Sequence, residues 1–276
     1  EFGLNFATET SKLDMGGSVR FNSSDADVAG INSSERFLQT GSSYSNSNSH
    51  NWNKNKSFNT DFRLEWKPDT LTNIIFRPNF SYGKTNNSSI SESSTFNDDP
   101  YLKVPNPNDY LNLDQIATND PLRNIRVNAT NSNGLTKSNS VSTDATVQIN
   151  RKLNNKGRNI TFRGGFGYGN NNNDQYTEAT THYYQLQNYL GNDSIQVRNQ
   201  YIDMPTKNFN YMAQMTYSEP IARATFLQLS YQFQYKYTKS DKTTYDLRNF
   251  TDWGIESPLP NGYEENEIGR ASCRER

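Results

Sequence analysis

The chain has 276 residues and a net charge of −1; hydrophobic residues make up only 32% of it, yet aromatics reach 13%, with 17 Tyr and 15 Phe. Mean hydropathy is −0.97. With Leu, Ile and Val this sparse, an ordinary aliphatic soluble core is excluded, and the lack of a basic stripe excludes nucleic acid as a partner.

Two classes remain: a disordered polar chain, or a β-structure whose apolar atoms occupy one face of each strand. Disordered chains are poor in aromatics, so the abundance of Tyr and Phe favours the second. No run of about 18 apolar residues exists, so no transmembrane helix is expected. The opening Glu1-Phe2-Gly3-Leu4-Asn5-Phe6 alternates at once. It has neither the charged start nor the apolar core of a signal peptide, and is read as the interior of a longer exported chain.

In chain order, the first alternating run is Leu13, Met15, Gly17, Val19, Phe21. A weaker extended segment covers 37–44. The clearest run follows: Phe58, Thr60, Phe62, Leu64 and Trp66 interleaved with Asn59, Asp61, Arg63 and Glu65. Period two means a strand with one apolar face; a helix would smear the pattern over all sides. Pro68-Asp69-Thr70 then makes a tight turn, because Pro presets φ and Asp bonds its own backbone. The chain returns with Ile74, Phe76, Phe80 and Tyr82 on one face; Ile75 breaks the alternation and Pro78 is expected at a bulge or weak point.

The unit recurs at Val141, Thr143, Ala145, Val147, Ile149, a turn at 154–157, then Ile160, Phe162, Phe166, Tyr168. It recurs again at Phe209, Tyr211, Ala213, Met215, Tyr217, a turn near Glu219-Pro220, then Leu227, Leu229, Tyr231, Phe233, Tyr235 and Tyr237. A second weak extended segment covers 175–187. Turns within these pairs are short. The connections between them, 84–140 and 170–208, are long and rich in Asn, Ser and Asp, though part of each can extend its flanking strands. Nine residues from Phe58 to Trp66 span about 26 Å, which suits the apolar band of an outer membrane when tilted.

These features predict an all-β, antiparallel up-and-down meander: a partial transmembrane β-barrel over 1–266, with short periplasmic turns and long extracellular loops. The predicted lipid-facing residues are Phe58, Phe62, Leu64, Trp66, Phe76, Phe80 and Tyr82, then Val147, Ile149, Phe162, Phe166 and Tyr168. Tyr211, Met215, Tyr217, Leu229, Tyr231, Phe233 and Tyr235 complete the set. Trp66 and Tyr217 beside the turns, and Tyr82, Tyr168 and Tyr237 toward the loops, read as two aromatic girdles. Residues 267–276 read as the in-frame translation of a sequencing adapter and fall outside the domain. That tail holds three Arg and two Glu, so its removal takes the net charge from −1 to −2, and it holds Cys273, the only cysteine.

The stretches around Phe-Arg-Leu-Glu-Trp-Lys-Pro-Asp (62–69), Thr216-Tyr217-Ser218-Glu219-Pro220-Ile221, Leu227-Gln228-Leu229-Ser230-Tyr231 and 240–246 resemble the β-barrel domains of TonB-dependent receptor-like proteins. The resemblance spans most of 1–250. It implies a barrel of about 22 strands, of which this chain would carry seven to ten, closed by an N-terminal plug. It also implies substrate uptake driven through TonB in a parent protein. Neither a plug nor a TonB-contact segment is recognisable. The partners so implied are outer-membrane lipid, the remainder of the barrel and plug, and TonB, at a bacterial outer membrane. The alternative is an extracellular β-rich binding or adhesion module.

Other motifs carry little. The glycines in 163–169 lie inside an alternating run with no helix after them, so they read as room in the lumen or relief of curvature rather than a phosphate loop. His50 and His182 are far apart and read as solvated loop residues, so no metal is expected. Asp25, Asp27, Asp98 and Asp99 could offer oxygen to Ca²⁺, but loop carboxylates usually serve solubility. Tyr183, Tyr184, Tyr189 and Trp253 could stack on sugars, with ordinary loop packing the plainer reading. No catalytic set and no cofactor site is evident, so no enzyme is expected.

Overall fold

A computed structural model describes residues 1–39, 41–113, 120–187, 190–222, 225–250, 255 and 257–275. The strands are β1 (Phe2–Glu9), β2 (Leu13–Leu38), β3 (Gly41–Trp66), β4 (Thr72–Phe96), β5 (Arg126–Lys152), β6 (Asn159–Gln187), β7 (Asp193–Ala222), β8 (Thr225–Asp246) and β9 (Glu267–Glu275). They form one antiparallel meander in the order β1 to β9, each strand paired with its sequence neighbours. Among the described residues there is no α-helix, only short 3-10 turns. The sheet is open, with β1 and β9 at its edges. β9 covers Thr238–Tyr245 of β8, so among the described residues Thr225 to Tyr237 of β8 has no ladder partner on that side.

Strands β2 to β8 run for 22 to 30 residues. That is about 70–100 Å, against an ordinary strand of about 17–20 Å. This corrects the expected connections. Residues 84–96 and 126–140 are strand, leaving 97–125 as the loop, and of 170–208 only 188–192 lies outside β6 and β7. Asn, Ser and Thr on both faces hide the period of two, yet ladder hydrogen bonds hold the backbone extended all the same. The segment 175–187 lies in β6, and 37–44 spans the end of β2 and the start of β3. The β2–β3 connection is itself short, so the asymmetry between the two ends lies in strand overhang more than in loop length.

The turns are made locally. Asp69 accepts from the Leu71 amide at 2.7 Å and the Thr72 hydroxyl at 3.1 Å. Asn154 accepts from the Lys156 and Arg158 amides at 2.9 and 3.1 Å, and Gly157 takes φ 103°, which favours glycine. Glu219-Pro220 is no turn: β7 continues to Ala222, with Pro220 opposite Phe226. Pro78 makes no bulge. The β3–β4 register is unchanged across it, but pairing lapses between Asp61↔Asn79 and Leu64↔Phe76, as expected where proline has no N–H to donate. Pro205 lies in a matching gap between β7 and β8.

Candidate functional site

Register, not loop chemistry, assembles the main surface feature. One row across the sheet reads Leu13, Trp66, Ile74, Ile149, Phe162, Met215, Tyr231. The next on the same face reads Met15, Leu64, Phe76, Val147, Gly164, Ala213, Phe233. All nineteen residues singled out from alternation fall on this one face. It also takes in Phe2, Leu4 and Phe6 of β1 and the Leu13-to-Phe21 run of β2, which were not among the nineteen. Their alternation was the signal that could have included them.

The face is bare. Phe162 is 43% exposed, Phe233 54% and Tyr231 73%. No second layer covers Phe62, Phe162 and Phe233, so a sandwich core is not what these residues build. Cross-strand rings line the belt: Phe166–Tyr211 with centroids 5.5 Å apart, Tyr168–Phe209 at 5.1 Å, Tyr211–Tyr235 at 6.3 Å. Gly164 and Ala213 leave an apolar hollow of about 480 Å³ beside Phe76, Phe162, Phe166 and Phe233. Gly17 makes room for the Phe6 ring; a Cβ there would lie 2.6 Å from the Asp61 carbonyl oxygen.

Across β1 to β8 the belt is on the order of 900 Å², from seven strand spacings of about 4.8 Å and a height of about 26 Å. The largest apolar patch on a water-soluble monomer is typically about 300–600 Å². The belt is also bordered. At the turn end the Tyr217 hydroxyl donates to Glu219, which takes two hydrogen bonds of 2.6 Å from Arg158. At the other end Tyr168, Phe209 and Tyr237 share one row, with Tyr82 one row beyond.

The opposite face is mostly polar, with Ile75 and Met212 as apolar exceptions at belt height. Ser81 donates to Asn59 at 2.8 Å, and Thr161 and Gln148 donate to Asn150 at 2.9 and 3.1 Å. Glu65 pairs with Arg63 at 2.6 Å and Lys67 at 3.2 Å. Gly165, Gly167 and Gly169 line this face, and a Cβ on either of the last two would collide with Asn210 or Asn208. Gly167 and Gly169 therefore make room for neighbouring polar side chains. Such a face suits water and polar solutes.

Beyond the belt, the long connections fold back onto the belt side of the sheet. Phe96, Val104, Leu111, Leu122 and Ile125 form one buried cluster; Leu135, Tyr176, Tyr201 and Leu247 form another. Arg126, fully buried, ties the 97–125 loop to β4. It pairs with Asp120 at 2.9 Å and donates to Ser94 and to the Tyr110 carbonyl at 2.9 Å. Sequence reasoning missed both clusters and this pair.

Several weighed residues lie elsewhere than expected. His50 is no loop residue: it sits in β3, hydrogen-bonded to Asp27 and stacked on Trp52 with centroids 3.9 Å apart. His182 lies in β6. Asp25 pairs with Lys54 at 3.5 Å, and Asp98 and Asp99 accept the amides of Asp99 and Tyr101, both at 2.9 Å. Tyr183 and Tyr184 are strand residues, the latter under the Arg123 guanidinium at 4.7 Å. Tyr189 and Trp253 lie outside the described residues. No protein-family model matches the chain, and no curated protein matches it.

Proposed function

We propose that the chain is a segment of a transmembrane β-barrel in a bacterial outer membrane, and that its parent is a receptor or transporter taking up a nutrient through a TonB-dependent route. One observation carries the membrane part: an apolar face, continuous over eight adjacent strands and about as tall as a hydrocarbon layer, stands bare while the other face is mostly polar. Water penalises such a surface at about 25 cal/mol per Å², and hydrocarbon does not. The TonB-dependent part rests on the sequence resemblance. Its partners would be lipid on the belt, further strands at the two open edges, and a plug against the polar face. The reading gives the chain no catalytic role.

The test is solubility and insertion. The full chain is expected to precipitate without detergent and to enter phosphatidylcholine vesicles, with Trp66 fluorescence quenched by lipids brominated along their acyl chains. Recovery as a soluble, cooperatively folded monomer would overturn the reading and favour an extracellular binding or adhesion module.

A further inference from the structure

We propose that the border of the belt on the loop side binds the phosphate groups of membrane lipids, through two lysine pairs, Lys56 with Lys84 and Lys207 with Lys239. The inference rests on the membrane reading above. On four strands the residue that follows the end of the contiguous apolar run on the belt side is lysine: Phe58 then Lys56, Tyr82 then Lys84, Phe209 then Lys207, Tyr237 then Lys239, with further rings such as Trp52 and Tyr245 only beyond the lysines. The register sets these lysines directly opposite one another, Lys56↔Lys84 and Lys207↔Lys239. Like charges so placed repel and weaken the sheet. A shared anion reverses the sign of that interaction.

The neighbouring groups sharpen the point. Farther from the belt, lysines on this face have local partners: Lys54 has Asp25 at 3.5 Å, and Lys137 lies 5.5 Å from the Tyr176 ring and opposite Asp174. At the border, Lys239 meets Asp241 at 2.5 Å. Lys56, Lys84 and Lys207 are exposed and have no carboxylate among the described residues within ion-pair distance. On the strands between, Asn139 lies opposite Lys84 and Asn170 opposite Lys207, not acids, and the two lysine pairs stand one row apart in the register. Each lysine lies about 7 Å along the strand from the last ring of that run. A lipid whose chains lie on the belt would carry its phosphate at that height, whereas a free anion would have no reason to favour this line.

The experiment compares the full chain with a K56Q/K84Q/K207Q/K239Q variant and with a control, K12Q/K67Q/K103Q/K152Q, of equal charge change. Association is measured with phosphatidylcholine vesicles and with vesicles holding about a third phosphatidic acid, at low and high salt. The unmodified chain and the control should prefer the anionic vesicles by at least tenfold at low salt, given about fivefold per lysine. The border variant should lose that preference and still enter neutral vesicles. If it keeps the preference, or if the control loses it equally, the inference is overturned and the membrane reading stands. Inorganic phosphate at matched ionic strength should compete weakly; full displacement would make the site one for free phosphate and overturn the lipid assignment. Failure to enter any vesicle would sink both.

Discussion

At the residue scale, Arg126 decides the fate of a long connection. Its guanidinium and the Asp120 carboxylate are both out of water, and Asp120 also accepts the Leu122 amide at 3.0 Å. Replacing Arg126 by Met keeps volume but leaves a carboxylate buried and unpaired, a change that costs about 3–5 kcal/mol in comparable sites. R126M should therefore release the 97–125 loop, seen as loss of amide protection at Leu122 and Ile125, with protection in β3 kept. Asp69 offers a pH test. Acceptance of the Leu71 amide holds its carboxyl below the ordinary carboxylate value, against a weaker opposing effect of desolvation. A depressed pKa in the folded state means that the turn's stabilisation is present above the ordinary carboxylate value and is lost as pH falls below it. Exchange at the Leu71 amide should accelerate in that acid range, and D69A should remove the dependence. Asp69 and Asn154 were legible in the sequence because each caps its own turn. Arg126 was not, since its partners are fixed by how 97–125 folds back.

At the scale of elements, alternation was legible only where the two faces differ. Phe58 to Trp66 announces a strand because ring and charge alternate. Residues 84–96 belong to the same strand as Ile74 to Tyr82, β4, yet Asn and Ser on both faces erase the period. Their extension comes from neighbours: Ser88 lies between Trp52 and Leu135, and Ser91 between Ser49 and Ser132. Register sets the nineteen belt residues on one face; the lysine border was overlooked because single lysines in four separate runs acquire meaning only once the register sets them in pairs. Phe233, in the middle of the belt on β8, separates the two environments. In hydrocarbon F233R should cost about 2–4 kcal/mol at mid-depth; on a wetted surface it should stay within about 0.5 kcal/mol. Equilibrium unfolding in vesicles reads the difference directly.

At the scale of the whole molecule, the two faces differ in polarity and the sheet is open at both margins. Among the described residues, Thr225 to Tyr237 of β8 has no partner for its outward amides and carbonyls, and this is β8's part of the belt. Hydrocarbon supplies no hydrogen bonds, and each unmet backbone group there costs several kcal/mol. On the membrane reading, a lone copy thus meets a steep cost on entering a lipid layer, whereas a copy whose β8 margin is paired to another strand meets only that of the β1 edge. Membrane uptake of this chain should accordingly rise faster than linearly with its concentration, a reaction order above one that stopped-flow light scattering would register. On that reading, immersion and association would be a single event, and the sheet would go into oil only in company.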